Sequence, residues 1–185
     1  MRRKKTIKQR TRYFLAVEGE SEQSFVKWLQ HLADENGLHV HLDCQPLGGG
    51  GYEVMLNRAV RYSQRKDRHR VKSSILLVDA DRSVSDDNWS QDKLREVAFQ
   101  HKFIVVFQVP NLEGVLLRLL SGNERLQSSS TSSHVLLRRA WPDYNKPADA
   151  RTLRSKVALK DLLRVAQIDL ELKNLVEIIG LYDPQ

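Results

Sequence analysis

The chain is poor in cysteine, poor in aromatic residues and without any long apolar stretch, and each shortage removes a class of protein. One thiol, Cys44, among 185 residues excludes an intramolecular disulfide and any multi-cysteine zinc site, as suits a reducing compartment. Cys44 itself reads as a buried core residue. Aromatics make up only 7% of the chain within a hydrophobic fraction of 41%, and no apolar run approaches the roughly 18 residues of a membrane helix. The expectation is a soluble protein with no membrane partner. The opening MRRKKTIKQRTR leads into only a short apolar run before Glu18, so the apolar segment of a signal peptide is missing. A cytoplasmic location follows by default. The glycines at 48 to 51 lack the Gly-Lys-Ser/Thr ending of a P-loop, so they predict a loose loop near a substrate channel and no nucleotide hydrolysis. His39 and His41 lack both HExxH spacing and cysteine partners, so no zinc site is expected of them. Internal repeats are absent.

What is plentiful is positive charge. Thirty Lys and Arg against 23 Asp and Glu give a net charge of +7, which favours a polyanionic partner, nucleic acid first among them. Residues 1–11 form a basic arm able to touch phosphate. The length fits one compact α/β domain with a small helical extension.

Periodicity supplies the elements. Tyr13 to Val17 reads as a buried strand ending at Glu18-Gly19. Apolar Phe25, Trp28, Leu29 and Leu32 then recur at helical spacing, predicting a helix over 22–36 capped by Ser21, closed by Gly37 and carrying Trp28 in its core face. His39 to Cys44 suits a second strand, and 52–66 a second helix. Ser74 to Val78 is a continuous apolar run of the kind found in parallel sheets covered on both faces, and it runs straight into Asp79-Ala80-Asp81. A helix over 88–101, a strand over 103–109 stopped by Pro110, and a helix over 113–120 with Asn111 as its cap follow. The Ser-rich stretch 127–133 reads as a mobile loop, and the tail from 153 to 179 as two amphipathic helices divided near Ile168-Asp169. The organisation predicted is a core over 12–122, a loop-rich segment over 123–150 and C-terminal helices over 151–185 packed on the core. Alternating strands and helices imply a mostly parallel, four-stranded, Rossmann-like α/β sheet, whose ligand sites lie beyond the carboxyl ends of the strands.

Acids fall at just those ends. Glu18 terminates the first strand; Asp79 and Asp81 terminate the third. If the two strands are neighbours, three carboxylates converge, and Asp79 and Asp81, two apart in extended chain, share a side. Converging anions repel unless a cation sits among them, and all-oxygen ligation selects a hard ion, Mg2+ or Mn2+. The chemistry this arrangement predicts is phosphodiester hydrolysis.

FLAVEGESE and ILLVDADR resemble the strand-ending glutamate and the D-x-D motif of the Toprim domain shared by topoisomerases, primases and OLD-family nucleases. VEGESEQSFVKWL and VPNLEGVLLRLL are similar to the corresponding segments of RloB-like proteins, and the resemblance spans roughly 12–122. It implies that Glu18 is the essential acid, as metal ligand or general base, and that Asp79 and Asp81 hold magnesium. It also implies a second acid four residues after the first, Glu22, with Glu20 as competitor. Glu113 would be a further acid near a second metal, and Lys146 the cation that stabilises the charged transition state, with Lys156 and Arg82 as rivals. The implied protein is a metal-dependent endonuclease on DNA or RNA, transfer RNA included, acting in anti-phage defence with a separate SMC- or ABC-like ATPase; a homodimer is left open. A catalytically silent docking subunit and a primase-like nucleotidyl transferase are the alternatives, the latter in a chain short for its accessory parts.

Overall fold

The computed structural model describes residues 9–65, 70–81 and 89–182. The first eight residues of the basic arm, part of the basic connection after the second helix, Arg82 and Asn88 lie outside the described residues.

Four strands, β1 (Thr11–Val17), β2 (Val40–Pro46), β3 (Ser73–Asp79) and β4 (Phe103–Gln108), form one sheet in the order β2-β1-β3-β4 with every pairing parallel. The helices are α1 (Glu20–Glu35), α2 (Tyr52–Ser63), α3 (Gln91–Gln100), α4 (Leu112–Leu119), α5 (Ser130–Ala140), α6 (Ala150–Lys156), α7 (Leu159–Ala166) and α8 (Leu170–Ile179). The expected Rossmann-like parallel α/β sheet is what the chain builds.

Strand alternation sorts the core into two layers. Leu15, Val17, Ile75, Leu77 and Val106 pack with α1, α4 and the C-terminal helices, while Phe14, Ala16, Leu76, Val78, Val105 and Phe107 pack with α2 and α3. The chain steps from β1 outward to β2, then back across to β3 and on to β4. Parallel crossovers keep one hand, so the reversal sends α1 to one face and α2 and α3 to the other. The reversal point lies between β1 and β3, where an open α/β sheet leaves a crevice beyond its strand ends.

Several expectations are corrected. The cap of α1 is Gly19, not Ser21, which is buried inside the first turn; the Gly19 amide donates to Oε2 of Glu22 at 2.9 Å. Helix α2 stops at Ser63, and β2 begins after His39. Cys44 is half-buried rather than fully buried. The stretch 127–133 does not form a loose loop throughout: the Ser129 hydroxyl accepts from the Ser132 amide at 3.2 Å, and Ser132 Oγ accepts from the Ser129 amide at 2.9 Å, so serines supply both halves of a capping box and α5 follows. The tail holds three helices, because a break at Val157 and Ala158 separates α6 from α7; the predicted division near Ile168-Asp169 stands. Leu153, Leu162, Val165, Leu172, Leu175 and Ile179 bury these helices against the core, and Trp28 is fully buried as expected.

Candidate active site

Glu18 follows β1 directly, and β1 lies beside β3, so the ends of those strands bring Glu18 and Asp79 to one edge. A cleft of about 410 Å³ opens there, lined by Glu18, Gly19, Glu20, Ser21, Glu22, Gly48, Gly49, Asp79, Lys146 and Pro147. Glu18, Glu22 and Glu113 are 8%, 6% and 3% exposed, unusual burial for carboxylates. Glu20, the competitor of Glu22, is exposed at the rim.

The D-x-D pair is not extended. β3 ends at Asp79, and Ala80 and Asp81 lie in a tight turn, with the Asp81 amide donating to Pro110 O at 3.1 Å. Both acids nevertheless meet the β4–α4 turn: Asp79 Oδ1 accepts from the Leu112 amide at 3.0 Å, and Asp81 Oδ2 from Asn111 Nδ2 at 3.3 Å. From the other sheet face the Tyr52 hydroxyl donates to the carbonyls of Asp79 at 2.9 Å and Ala80 at 3.2 Å, pinning the turn. Asn111 does more than cap α4. Its Oδ1 accepts from Gly114 N at 3.1 Å and from Ser133 Oγ at 2.8 Å, which ties α5 to the acid-bearing turn.

Lys146 meets Glu113 at 2.6 Å, and the buried Tyr144 hydroxyl faces the same oxygen at 3.5 Å. Among the described residues, Lys146 is the proposed cation that lines the cleft, while Lys156 lies 5.8 Å from the Trp141 ring centroid. The Gly48 and Gly49 amides are not free to cradle a phosphate, since both donate to Glu18 O, at 3.0 and 3.1 Å. They fasten the loop as a wall of the cleft.

The electrostatics are strained. Burial first, and then Glu22, Glu18, Asp81 and Glu113, push the Asp79 carboxyl up to about 8. Burial and Glu18 also raise Glu22, against the opposing Gly19 amide. Tyr144 is raised by burial and by Glu113. Burial pulls Lys146 down, but its pairing with Glu113 and the nearby acids outweigh that and hold it charged. Five carboxyl groups thus crowd one edge, and among the described residues Lys146 is the cation that lines the cleft beside them.

Among the described residues, no group of three or more His, Cys, Asp or Glu is set, as it stands, to hold a metal ion. The reason is visible in the hydrogen bonds. Glu22 and Asp79 turn oxygens to backbone amides, Asp81 faces Asn111, and Glu113 faces Lys146. The donor chemistry still fits a hard divalent cation: oxygens only, in negative excess, around an acid that ionises reluctantly. Glu18, Glu22, Asp79, Asp81 and Glu113 are the residues that could hold it after side-chain rotation.

Tyr52, Ser133 and Asn111's second role escape a reading of the sequence. Tyr52 acts through the opposite sheet face and Ser133 lies in a low-complexity run, so neither has a local signature. Comparison of the chain with protein families, curated proteins and solved structures finds no match. No helix among the described residues is long and apolar enough to cross a membrane.

Proposed function

We propose that this chain is a Toprim-type, metal-dependent nuclease, akin to RloB-like and OLD-type enzymes, that hydrolyses nucleic-acid phosphodiesters. One observation carries the reading: an acid at a strand end, raised to about 8 by its burial and by four other carboxylates, beside a cleft that a phosphodiester and its flanking sugars can enter. Perturbed acids of this kind gather where function requires them. The ions that fit are Mg2+ or Mn2+, with Glu18, Asp79 and Asp81 as the first ligands and Glu22 and Glu113 available to a second ion. When bound, such an ion neutralises charge building on the phosphate and lowers the barrier to attack by water.

The side chains would divide the remaining work. To hold the ion, Asp79 would have to be ionised, as ligand carboxylates must be. Glu18 would serve either as a ligand of the ion or as the base that takes the proton of the attacking water. Lys146 exchanges Glu113 for the phosphate and holds the developing negative charge. On the resemblance to RloB-like proteins, a separate SMC- or ABC-like ATPase would work beside it in the cytoplasm, in defence against phage.

The deciding experiment is cleavage of plasmid, single-stranded DNA and total transfer RNA in Mg2+, Mn2+ or EDTA, with Glu18→Ala and Asp79→Ala alongside. Metal-dependent cutting by the wild type, lost in both variants, is expected; cutting that persists in EDTA or in Glu18→Ala refutes the proposal. The Lys146–Glu113 pair at 2.6 Å and the absence of an assembled metal group among the described residues favour a second reading, a catalytically silent subunit that docks on an ATPase or on nucleic acid. A Mn2+ titration showing no binding would support it.

A further inference from the structure

A substrate polyanion has little reason to approach five carboxylates, and Lys146, the cation lining that cleft among the described residues, is already paired with Glu113. Affinity must come from cations elsewhere. The end of α4, the end of α5 and the α6–α7 turn enclose a second cleft of about 500 Å³, whose lining includes Lys156, Lys160 and Arg154, the last paired with Glu35. Asp161, the acid in that lining, has both oxygens engaged: Oδ2 accepts from the Ala158 amide at 3.0 Å, and Oδ1 pairs with Arg164 at 3.3 Å. Ser121, Asn123 and Ser155 add neutral polar groups.

Lys156 and Lys160 are exposed, and Lys160 has no ion pair or hydrogen bond among the described residues. Two buried rings, Trp141 and Tyr144, stand between the cleft and Glu113. Lys156 lies 5.8 Å from the centroid of the Trp141 ring, that ring lies 5.5 Å from Tyr144, and the Tyr144 hydroxyl faces Glu113 at 3.5 Å.

We infer that the cleft between the end of α4 and the α6–α7 turn is a phosphate-binding anchor, holding the backbone of a nucleic-acid strand whose scissile phosphate lies over the carboxylates. The position of the scissile phosphate rests on the nuclease reading; the anchor does not, because it binds without metal or chemistry.

The test is fluorescence anisotropy of a labelled single-stranded oligonucleotide about 16 nucleotides long, near the upper end of common single-strand site sizes, titrated in EDTA at several salt concentrations. Lys156→Gln/Lys160→Gln is compared with Arg61→Gln/Lys102→Gln, a control pair that does not line this cleft. Two lost phosphate contacts should lower the salt slope by about 1.4 and weaken binding about tenfold or more at 0.1 M salt, with the control within about twofold of wild type. Lys160→Glu repeats the loss without disturbing the contact of Lys156 with Trp141. Equal weakening in both double variants, unchanged binding in the cleft variants, or no binding by the wild type overturns the inference. Failure of cleavage with the anchor effect intact instead overturns the nuclease reading alone.

Discussion

Replacing Asp79 by Asn should stabilise the metal-free protein while destroying the proposed site. The Asp79 carboxyl stands at about 8 in the fold against an ordinary value of 3.8, because it is buried and faces Glu22, Glu18, Asp81 and Glu113. Its folded-state value is the higher one. The favourable term is therefore fully present below pH 4 and is lost as pH rises through 8. At about 1.4 kcal/mol per unit, keeping this acid in the fold at pH 7 costs on the order of 4 kcal/mol. Asn keeps the acceptor that takes the Leu112 amide at 3.0 Å and brings no charge. Allowing for rearrangement among the other acids, a gain of about 2–4 kcal/mol is expected at pH 7, roughly 5–15 °C in melting temperature for a domain of this size. The assay is thermal and urea unfolding of both proteins in EDTA at pH 4, 7 and 9, read as the difference between them. That difference should be small at pH 4 and grow towards pH 9. A variant less stable than wild type at pH 9, or a difference independent of pH, would refute the electrostatic argument. Added Mn2+ should then offset most of the difference, stabilising the wild type by about 2.7 kcal/mol at a hundred times its Kd and leaving the variant nearly unchanged.

Three further substitutions probe other parts of the fold. Lys146→Met should lower cleavage about 10²-fold or more and also lower the melting temperature, because the Glu113 carboxylate it leaves behind is 3% exposed; a rate within twofold of wild type removes Lys146 from the mechanism. Asp169→Ala deletes both the buried pair with Arg118 at 2.6 Å and the cap on the Leu172 amide at 2.9 Å, so urea unfolding should show a loss of about 3–5 kcal/mol; a loss under 1 kcal/mol contradicts it. Gln108, 2% exposed and with neither amide atom partnered among the described residues, carries a desolvation cost of about 1–3 kcal/mol. Gln108→Met should therefore raise the melting temperature by a few degrees, and a lower value would mean that the amide has a partner.

Local pattern carried much of the architecture. Continuous apolar runs at Tyr13–Val17 and Ser74–Val78 mark strands covered on both faces, and β1 and β3 occupy the middle of the sheet. The helical spacing of Phe25, Trp28, Leu29 and Leu32 marks the buried face of α1. Such periodicities report which side of an element meets the core, and neighbouring residues are enough to set them. The same logic misleads where composition is ambiguous. Ser129, Ser132 and Ser133 are turn formers on paper, but they become caps and a tether once Asn111 is near enough to accept from Ser133. The extra break between α6 and α7 likewise depends on Leu153, Val157 and Leu162 finding the core, which no short window reveals.

The sequence by itself determined the alternation of strands and helices, the basic balance, and the placing of Glu18 and Asp79 at the ends of buried strands. Only the tertiary structure decided that those strands are neighbours, that Glu22 and Glu113 join the same edge from two helices, that Lys146 reaches Glu113, and that Tyr52 pins the Asp79 turn through the opposite face. Secondary structure follows from interactions a few residues apart. The charge on Asp79 follows from burial and from the fields of four acids brought together by strand order and by the β4–α4 turn, and those distances do not exist until the sheet has formed.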